Sequence, residues 1–308
     1  MNKTFKIILN IAILLVVVVF VWYMIRSVNK EETTYTMISK EEPFNSSYNR
    51  TTSFDLPEPI HRFELYNGSI YALAGQAVYI YNTDGTRKTT FAIKPDARDI
   101  SVDNTAIYIL YSTFIEVYDK KGGFIASWEA CSELSDYCSL TLAGDFVFVT
   151  DAENKNICKY TREGNFMQFI KSPHGFIIPS YSFDIVNRND TIYCVNSGRH
   201  LIEKYTLDGD FIAAFGGPGG EAGFFFGCCN PVYISFTPEG ELITSEKGNP
   251  RICTFRKNGN FKEVLLNSRL LGGSSKAYEI GAEGDQLFVA GKNSISIYTR
   301  IKRDEAGQ

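Results

Sequence analysis

A glycine recurs in the same local setting along this chain, at Gly85, Gly122, Gly164, Gly209 and Gly259, at intervals of 37 to 50 residues. Each follows a pair of short apolar runs: 70–73 and 78–81, 107–110 and 115–118, 147–150 and 157–160, 192–195 and 201–205. The fullest copy, from Phe215 to Phe261, has a Gly-rich lead-in, a run at 232–236, a turn at Pro238-Glu239-Gly240, and a run at 242–245. A polar loop, a third run at 252–256 and the turn Lys257-Asn258-Gly259 complete it. Short apolar runs divided by Gly, Asn and Pro turns specify antiparallel strands. A unit of this size cannot bury its own faces, so its copies must pack on one another.

This spacing fits four-stranded blades with variable connecting loops, repeated radially as a β-propeller. A sixth copy, with runs at 287–290 and 295–298, lacks its outer strand. The unpaired segment 51–56 is expected to supply it and so close the ring without a free edge. The sequence therefore predicts an all-β, six-bladed propeller over residues 51–302, followed by a short tail, 303–308.

The repeats resemble NHL repeats. The fifth copy carries the resemblance in Phe215-Gly216, Gly223-Phe224, Pro231, Gly240, Thr244, Asn249, Arg251-Ile252, Phe255 and Gly259. The third is similar through Thr150-Asp151, Asn156-Ile157, Tyr160 and Gly164. The likeness spans roughly residues 60–300, with blades one, two and six matching in turns and periodicity. The chain also resembles membrane-attached six-bladed propellers of bacteria, and Cys228-Cys229-Asn230-Pro231 with Ser245-Glu246-Lys247-Gly248 is similar to a subset of bacterial NHL proteins. The resemblance implies a binding scaffold and no particular chemistry.

Ahead of the propeller, the nineteen residues from Ile7 to Ile25 carry no charge. As a helix they would extend about 28 Å, enough for a bilayer core of roughly 30 Å. No small-x-small site follows in Trp22-Tyr23-Met24-Ile25-Arg26, so the segment reads as an uncleaved transmembrane signal anchor. Residues 1–6 are then a short cytoplasmic N-terminus and 26–50 a polar tether. The acidic residues Glu31, Glu32, Glu41 and Glu42 favour placing the propeller on the extracytoplasmic side of a plasma membrane. Thirty-five acidic against thirty-one basic residues give a net charge of −4, without the basic excess a phosphate-binding face needs, so nucleic acid is not expected as a partner.

Antiparallel blades sort their loops onto two faces. Loops between blades, and those between second and third strands, share one face, which should hold 135–138, 151–156, 172–180, 197–200, 227–231 and 246–251. The candidate ligand- or partner-binding residues there are Cys228, Cys229, Asn230, Glu246, Lys247, Arg251, His174 and His200. Adjacent cysteines can form a strained, reducible disulfide or offer two thiolates to a soft metal; equally, one can be buried while the other pairs elsewhere. With a nearby cysteine, His174 and His200 could form a mixed metal site, against the plainer reading of ordinary loop histidines. Lys247 and Arg251 could meet an acidic ligand, or Arg251 could simply hold its blade together. Cys131 and Cys138 flank a short loop and form a possible disulfide, while Cys158, Cys194 and Cys253 fall on strands as small core residues.

The cysteine spacings contain no C-x2-C pair, and no metal or cofactor is assigned. Six-bladed enzymes such as calcium-dependent lactonases share only the architecture; no set of channel carboxylates, nucleophile elbow or His-Glu-x-x-His is evident, so no catalytic residue is expected. Two readings follow. One is a membrane-anchored scaffold that holds a protein or soluble ligand on its loop face. The other is a redox or metal-handling accessory of membrane electron transfer, centred on Cys228-Cys229.

Overall fold

The computed structural model describes residue 5, residues 13–22 and residues 44–301. The chain divides into two units, residues 1–45 and 46–308. In the first, residues 13–22 are helical and exposed. Among the described residues no helix is long and apolar enough to cross a membrane. The rest of the span expected from Ile7 to Ile25, most of the 26–50 tether and the 303–308 tail lie outside the described residues.

In the second unit, the described strands form six four-stranded antiparallel sheets. After β1 (Tyr48–Asp55), blade one is β2 (Ile60–Tyr66), β3 (Ser69–Ala74), β4 (Ala77–Asn82) and β5 (Arg87–Ala92). Blade two is β6 (Asp99–Val102), β7 (Ala106–Leu110), β8 (Phe114–Asp119) and β9 (Phe124–Glu129). Blade three is β10 (Tyr137–Ala143), β11 (Phe146–Asp151), β12 (Asn156–Thr161) and β13 (Phe166–Ile170). Blade four is β14 (Ile185–Arg188), β15 (Thr191–Asn196), β16 (Leu201–Thr206) and β17 (Phe211–Gly216). Blade five is β18 (Tyr233–Phe236), β19 (Leu242–Ser245), β20 (Ile252–Phe255) and β21 (Phe261–Leu266). Blade six is β22 (Glu279–Glu283), β23 (Gln286–Ala290) and β24 (Ser294–Arg300), with β1 as its fourth strand.

This is a six-bladed propeller. Its first strands neighbour one another in a closed circle, β2-β6-β10-β14-β18-β22 and back to β2. β1 pairs with β24 from Tyr48↔Arg300 to Asp55↔Ser294, so the ring is fastened by strands from its two ends. It starts ahead of the expected boundary at 51 because Tyr48 is itself buried and paired, its hydroxyl accepting from Arg300 Nε at 3.2 Å. Second strands are buried on both faces because each is sandwiched between neighbouring blades: β3 and β7 are buried throughout, whereas outer β5 and β9 are mostly exposed.

The turn glycines form the joints between blades. Gly85, Gly122, Gly164, Gly209 and Gly259 all have φ between 86 and 90°, a conformation glycine adopts without steric cost. A Cβ at each would also strike the outer strand of the preceding blade: Phe54 at 2.8 Å, Phe91 at 2.4 Å, Trp128 at 2.4 Å, Ile170 at 2.6 Å and Phe215 at 2.8 Å. The aromatic residues in this set also meet a third-strand ring of the following blade, as in Phe54–Tyr81 at 5.0 Å, Phe91–Tyr118 at 5.4 Å and Phe215–Phe255 at 5.6 Å between centroids. Each outer-strand side chain is thus received by the next blade's aromatic ring and turn glycine.

The two demands on these glycines can be separated by mutation. Gly164→Ala adds both backbone strain and a clash with Trp128, and should destabilise the propeller by roughly 2–4 kcal/mol. Gly272 has a similar φ of 86° but nothing within 4 Å of its Cβ position. Gly272→Ala should cost only about 1 kcal/mol. Denaturant titration of both variants checks the difference; equal costs would remove the packing role.

Candidate functional site

Each first strand, or the residue just before it, sends one side chain into the channel at a common level. Arg62 comes from β2, Asp99 from β6, Ser139 from β10, Asp184 from just before β14, Tyr233 from β18 and Glu279 from β22. Arg62 is the hub. Its Nε lies 2.9 Å from Asp99 Oδ1, Nη2 lies 2.6 Å from Asp184 Oδ1, and Nη1 lies 2.9 Å from Glu279 Oε2. The guanidinium also stacks over the Tyr233 ring at 4.9 Å. The Ser139 hydroxyl sits between Asp99 and Asp184 at 2.6 and 2.9 Å. Asp99 accepts from the Leu140 amide and Asp184 from the Ile234 amide, each bonding the first strand of the following blade.

The sequence reading found no set of channel carboxylates; the structure supplies three, held by one arginine. Burial works against the Arg62 charge, but Asp184, Asp99 and Glu279 outweigh it and hold its pKa well above the usual value. Burial pushes the Asp184 and Glu279 carboxyls up, with Arg62 offsetting only part of the effect.

This plug divides the channel. On the loop face lies a cavity of about 540 Å³, lined by His61, Cys138, Ser180, Tyr181, Val232 and Tyr233 among others. A neighbouring cavity of about 750 Å³ shares His61 and Tyr233 and extends to Leu270 and Lys292. On the turn face lies a polar cavity of about 260 Å³ that includes Glu64, Asn187 and Arg188.

Of the sequence candidates, Cys228, Cys229, Asn230 and Lys247 gather beside the loop-face mouth, next to Ser180. Cys228 is exposed and Cys229 buried, with both thiols free and their sulfurs 2.7 Å apart. The Cys229 sulfur is also 3.8 Å from Ser180 Oγ, which places it next to the cavity wall. Burial raises the Cys229 pKa, but hydrogen bonds from Cys228, Lys247 and Ser180 and the Lys247 charge outweigh it, so the net direction is down. Asn230 is a staple. Its amide nitrogen donates to the Phe226 and Lys247 carbonyls at 2.6 and 2.9 Å, and its carbonyl oxygen accepts from the Lys247 amide at 2.9 Å.

Glu246 and Arg251 take the structural role that sequence left open. Arg251 Nε donates to the buried Glu246 carboxylate at 2.7 Å, while Nη1 and Nη2 reach the carbonyls of Gly220, Glu221 and Phe224. The pair clamps the Gly-rich loop onto blade five and is not offered to a ligand. His174 bonds Glu203 at 3.1 Å and packs edge-on against Phe211 of the outer strand, away from the cysteines. His200 has φ of 57°, and its Nδ1 is buried without a partner. The mixed Cys–His metal site is therefore not assembled among the described residues.

The expected Cys131–Cys138 disulfide is also corrected. The Cys131 sulfur lies 3.0 Å from Cys158, whereas Cys138 turns into the packing between blades three and four and faces the Asp136 carbonyl at 3.8 Å. Cys131, Asp151 and Cys158 are the group of potential metal ligands that comes together among the described residues. Their sequence separation hid it, because only blade pairing brings a loop thiol over a third strand.

No protein-family model matches the sequence, and no curated protein matches it. Solved structures do. A catalytically inactive virginiamycin B lyase from Staphylococcus aureus, with quinupristin, is 19% identical over 79% of this chain and 80% of its own, at a TM-score of 0.58. A streptogramin B lyase structure is 15% identical over 80% of this chain and 96% of its own, at 0.58. A protein of unknown function from Bacteroides thetaiotaomicron is 12% identical over 82% of this chain and 74% of its own, at 0.55. At these identities the likeness carries the fold, a propeller of the kind the NHL-like repeats imply, and no activity.

Glu64, beside the plug, offers a pH test. Burial pushes its carboxyl up to about 8, with Ser101 and the Val102 backbone offsetting part of the effect. A folded-state pKa above the unfolded one favours the protonated carboxyl in the fold. Its contribution is full below about pH 4.5 and is lost as pH rises through 8. Glu64→Gln should therefore leave stability nearly unchanged at pH 4.5 and raise it by roughly 2–4 kcal/mol at pH 8.5. Denaturation curves at the two pH values measure this, and a pH-independent effect would contradict the assignment.

Proposed function

We propose that this chain is a membrane-anchored, extracytoplasmic propeller that acts as an interaction scaffold, docking a protein partner on its loop face. The reading is carried by where the propeller exposes its large apolar side chains. Outside the strands and the ends of the described unit, these are Leu134, Ile177, Tyr181, Phe224, Phe226 and Leu270. All six lie in the loops that lead into blades three to six; the short hairpin turns of the opposite face carry none. Tyr181 and Leu270 line the cavities at the mouth, and exposed apolar side chains gathered on one loop face are characteristic of protein docking surfaces.

The backbone supports the same reading. Ser180 and Tyr181 both have positive φ, 57 and 55°, and Tyr181 stands 62% exposed at the mouth. Left-handed conformations at non-glycine residues cost of order 1–2 kcal/mol each, and such strain collects at functional sites. The loop into blade five is held by Asn230 and Arg251, so Phe224 and Phe226 would meet a partner with little ordering still to be done. Anchoring rests on the charge-free segment from Ile7 to Ile25, and the extracytoplasmic side on the acidic residues after it.

The free pair Cys228-Cys229 favours a second reading, a redox or metal-handling accessory, because Lys247 stands beside Cys229 and Cys228 is open to solvent. The two readings part under mutation. A scaffold should keep partner binding when Cys228→Ser and Cys229→Ser are introduced, whereas a redox accessory should lose its activity with either.

Photo-crosslinking in membranes of cells expressing the full chain tests the scaffold directly. A crosslinker at Tyr181, Phe226 or Leu270 should give one discrete adduct, while one at Phe166 or Ile212 on outer strands should not. Tyr181→Ser with Phe226→Ser should reduce that adduct at least about tenfold, as for paired aromatic hot spots, with Tm unchanged. Adducts from the outer strands alone would reject the loop face, and recovery of the chain in the soluble fraction would reject the anchor.

A further inference from the structure

We infer that Cys131 and Cys158 form a redox-active dithiol that closes to a disulfide between the loop leaving blade two and the third strand of blade three. The inference rests on the geometry of these two thiols, independently of the docking surface. Their sulfurs are 3.0 Å apart although 27 residues separate them in sequence. Cys131 lies in the loop after β9 and is partly exposed, whereas Cys158 on β12 is fully buried. One thiol can therefore be reached from solvent while the other waits behind it, the arrangement of an attacking and a resolving cysteine.

Tyr137 fixes the attacking thiol. Its hydroxyl accepts from the Cys131 amide at 2.9 Å and donates to the Cys131 sulfur at 3.4 Å. The Tyr160 hydroxyl hydrogen-bonds Tyr137 in turn. The Cys158 thiol, followed by Tyr137, lowers the Cys131 pKa, which favours its thiolate. Cys158 moves in the opposite direction, as expected when the two thiols share one dissociable proton.

A metal site is the competing use of this cluster, with Asp151 as the third ligand. Asp151 is already committed. Its Oδ1 accepts from the Asp136 and Asn154 amides, both at 3.1 Å, and its Oδ2 accepts from the Asn154 side chain at 2.9 Å. The carboxylate holds the loop turn, which leaves the two sulfurs as the reactive pair.

The chemistry requires a disulfide oxidant. Cys131 thiolate attacks one sulfur of the oxidant, breaking its S–S bond and releasing one thiolate, to leave a mixed disulfide. Cys158 then attacks the Cys131 sulfur and releases the second thiolate, and the protons of the two cysteines pass to the two leaving thiolates. One S–S bond is formed and one broken, and two electrons pass to the oxidant. The bond would pin the loop that carries Leu134 to blade three.

The test uses the purified full chain in detergent, with Cys228→Ser and Cys229→Ser introduced to remove the other exposed thiol. It is equilibrated with reduced and oxidised glutathione, quenched with acid, alkylated, and digested with trypsin without reductant. Trypsin places Cys158 in peptide 156–159 and both Cys131 and Cys138 in 122–155. The expected product is these peptides joined through Cys131, reversed by dithiothreitol, with Tm raised by about 5 °C on oxidation. Cys131→Ser should abolish the joined species, and Cys158→Ser should trap glutathione on Cys131. Because Cys158→Ser empties a core position, Cys131→Ser at the partly exposed position serves as the independent control. Independent alkylation of both cysteines at every glutathione ratio, or a bond through Cys138, would overturn the inference. So would protection of both thiols by added Zn²⁺ in a chain that glutathione cannot oxidise.

Discussion

The propeller depends on one repeated contact, the insertion of an outer-strand side chain between a ring and a glycine of the next blade. A blade's outer strand is its most solvated element, yet it has to hold the neighbouring blade in place. At the joint this is achieved by removing the Cβ that would obstruct it. Trp128 approaches where a side chain on Gly164 would be, and Phe91 does the same at Gly122. The glycine meets two requirements at once, since the hairpin needs a positive φ and the joint needs the space. That coincidence lets a single residue type mark five of the six blades, and it explains why the turn is maintained where the connecting loops vary in length.

Around the axis the same problem is solved with charge. Six first strands converge, and six apolar side chains would leave a dry, narrowing tube with little to set the register of one blade against another. Arg62 instead pairs with Asp99, Asp184 and Glu279 from three other blades, and Asp99 and Asp184 accept from the amides of the next first strands. Buried ion clusters are weak sources of stability but strong sources of geometry. Here the geometry is the closure of a ring. The cluster also shuts the channel at mid-height, so the loop-face and turn-face cavities are separate environments.

Much of the fold was legible in the sequence because its determinants are local. The turn glycines, the paired apolar runs and the missing outer strand of the last copy each lie within a few residues, and together they specify six blades and the place of β1. The plug was not legible. Arg62, Asp99, Ser139, Asp184, Tyr233 and Glu279 differ in chemical type and no repeat marks them, so only the closed ring brings them together. The cysteines failed for the same reason. Cys131 is close to Cys138 in sequence, but strand β10 carries Cys138 to the far side of blade three, while β12 carries Cys158 beneath Cys131. Arg251 and Glu246 were recognised as a charged loop; their structural commitment became visible only with the carbonyls of Gly220, Glu221 and Phe224 in place.

The two faces of the ring then divide labour for a physical reason. Hairpin turns within a blade are short and held by joint contacts, so they can carry little besides turn residues. Loops between blades must span from an outer strand back to the axis, and that length gives them side chains to spare. Presenting apolar groups on long loops would ordinarily cost ordering on binding. In the loop into blade five, the buried bonds of Asn230 and the Glu246–Arg251 clamp provide much of that ordering during folding. Phe224 lies inside the stretch of carbonyls that Arg251 holds, and Phe226 donates its amide toward Glu246 at 3.5 Å. Asn230, Glu246 and Arg251, which the sequence offered as ligands, thus hold the blade-five loop and with it Phe224 and Phe226.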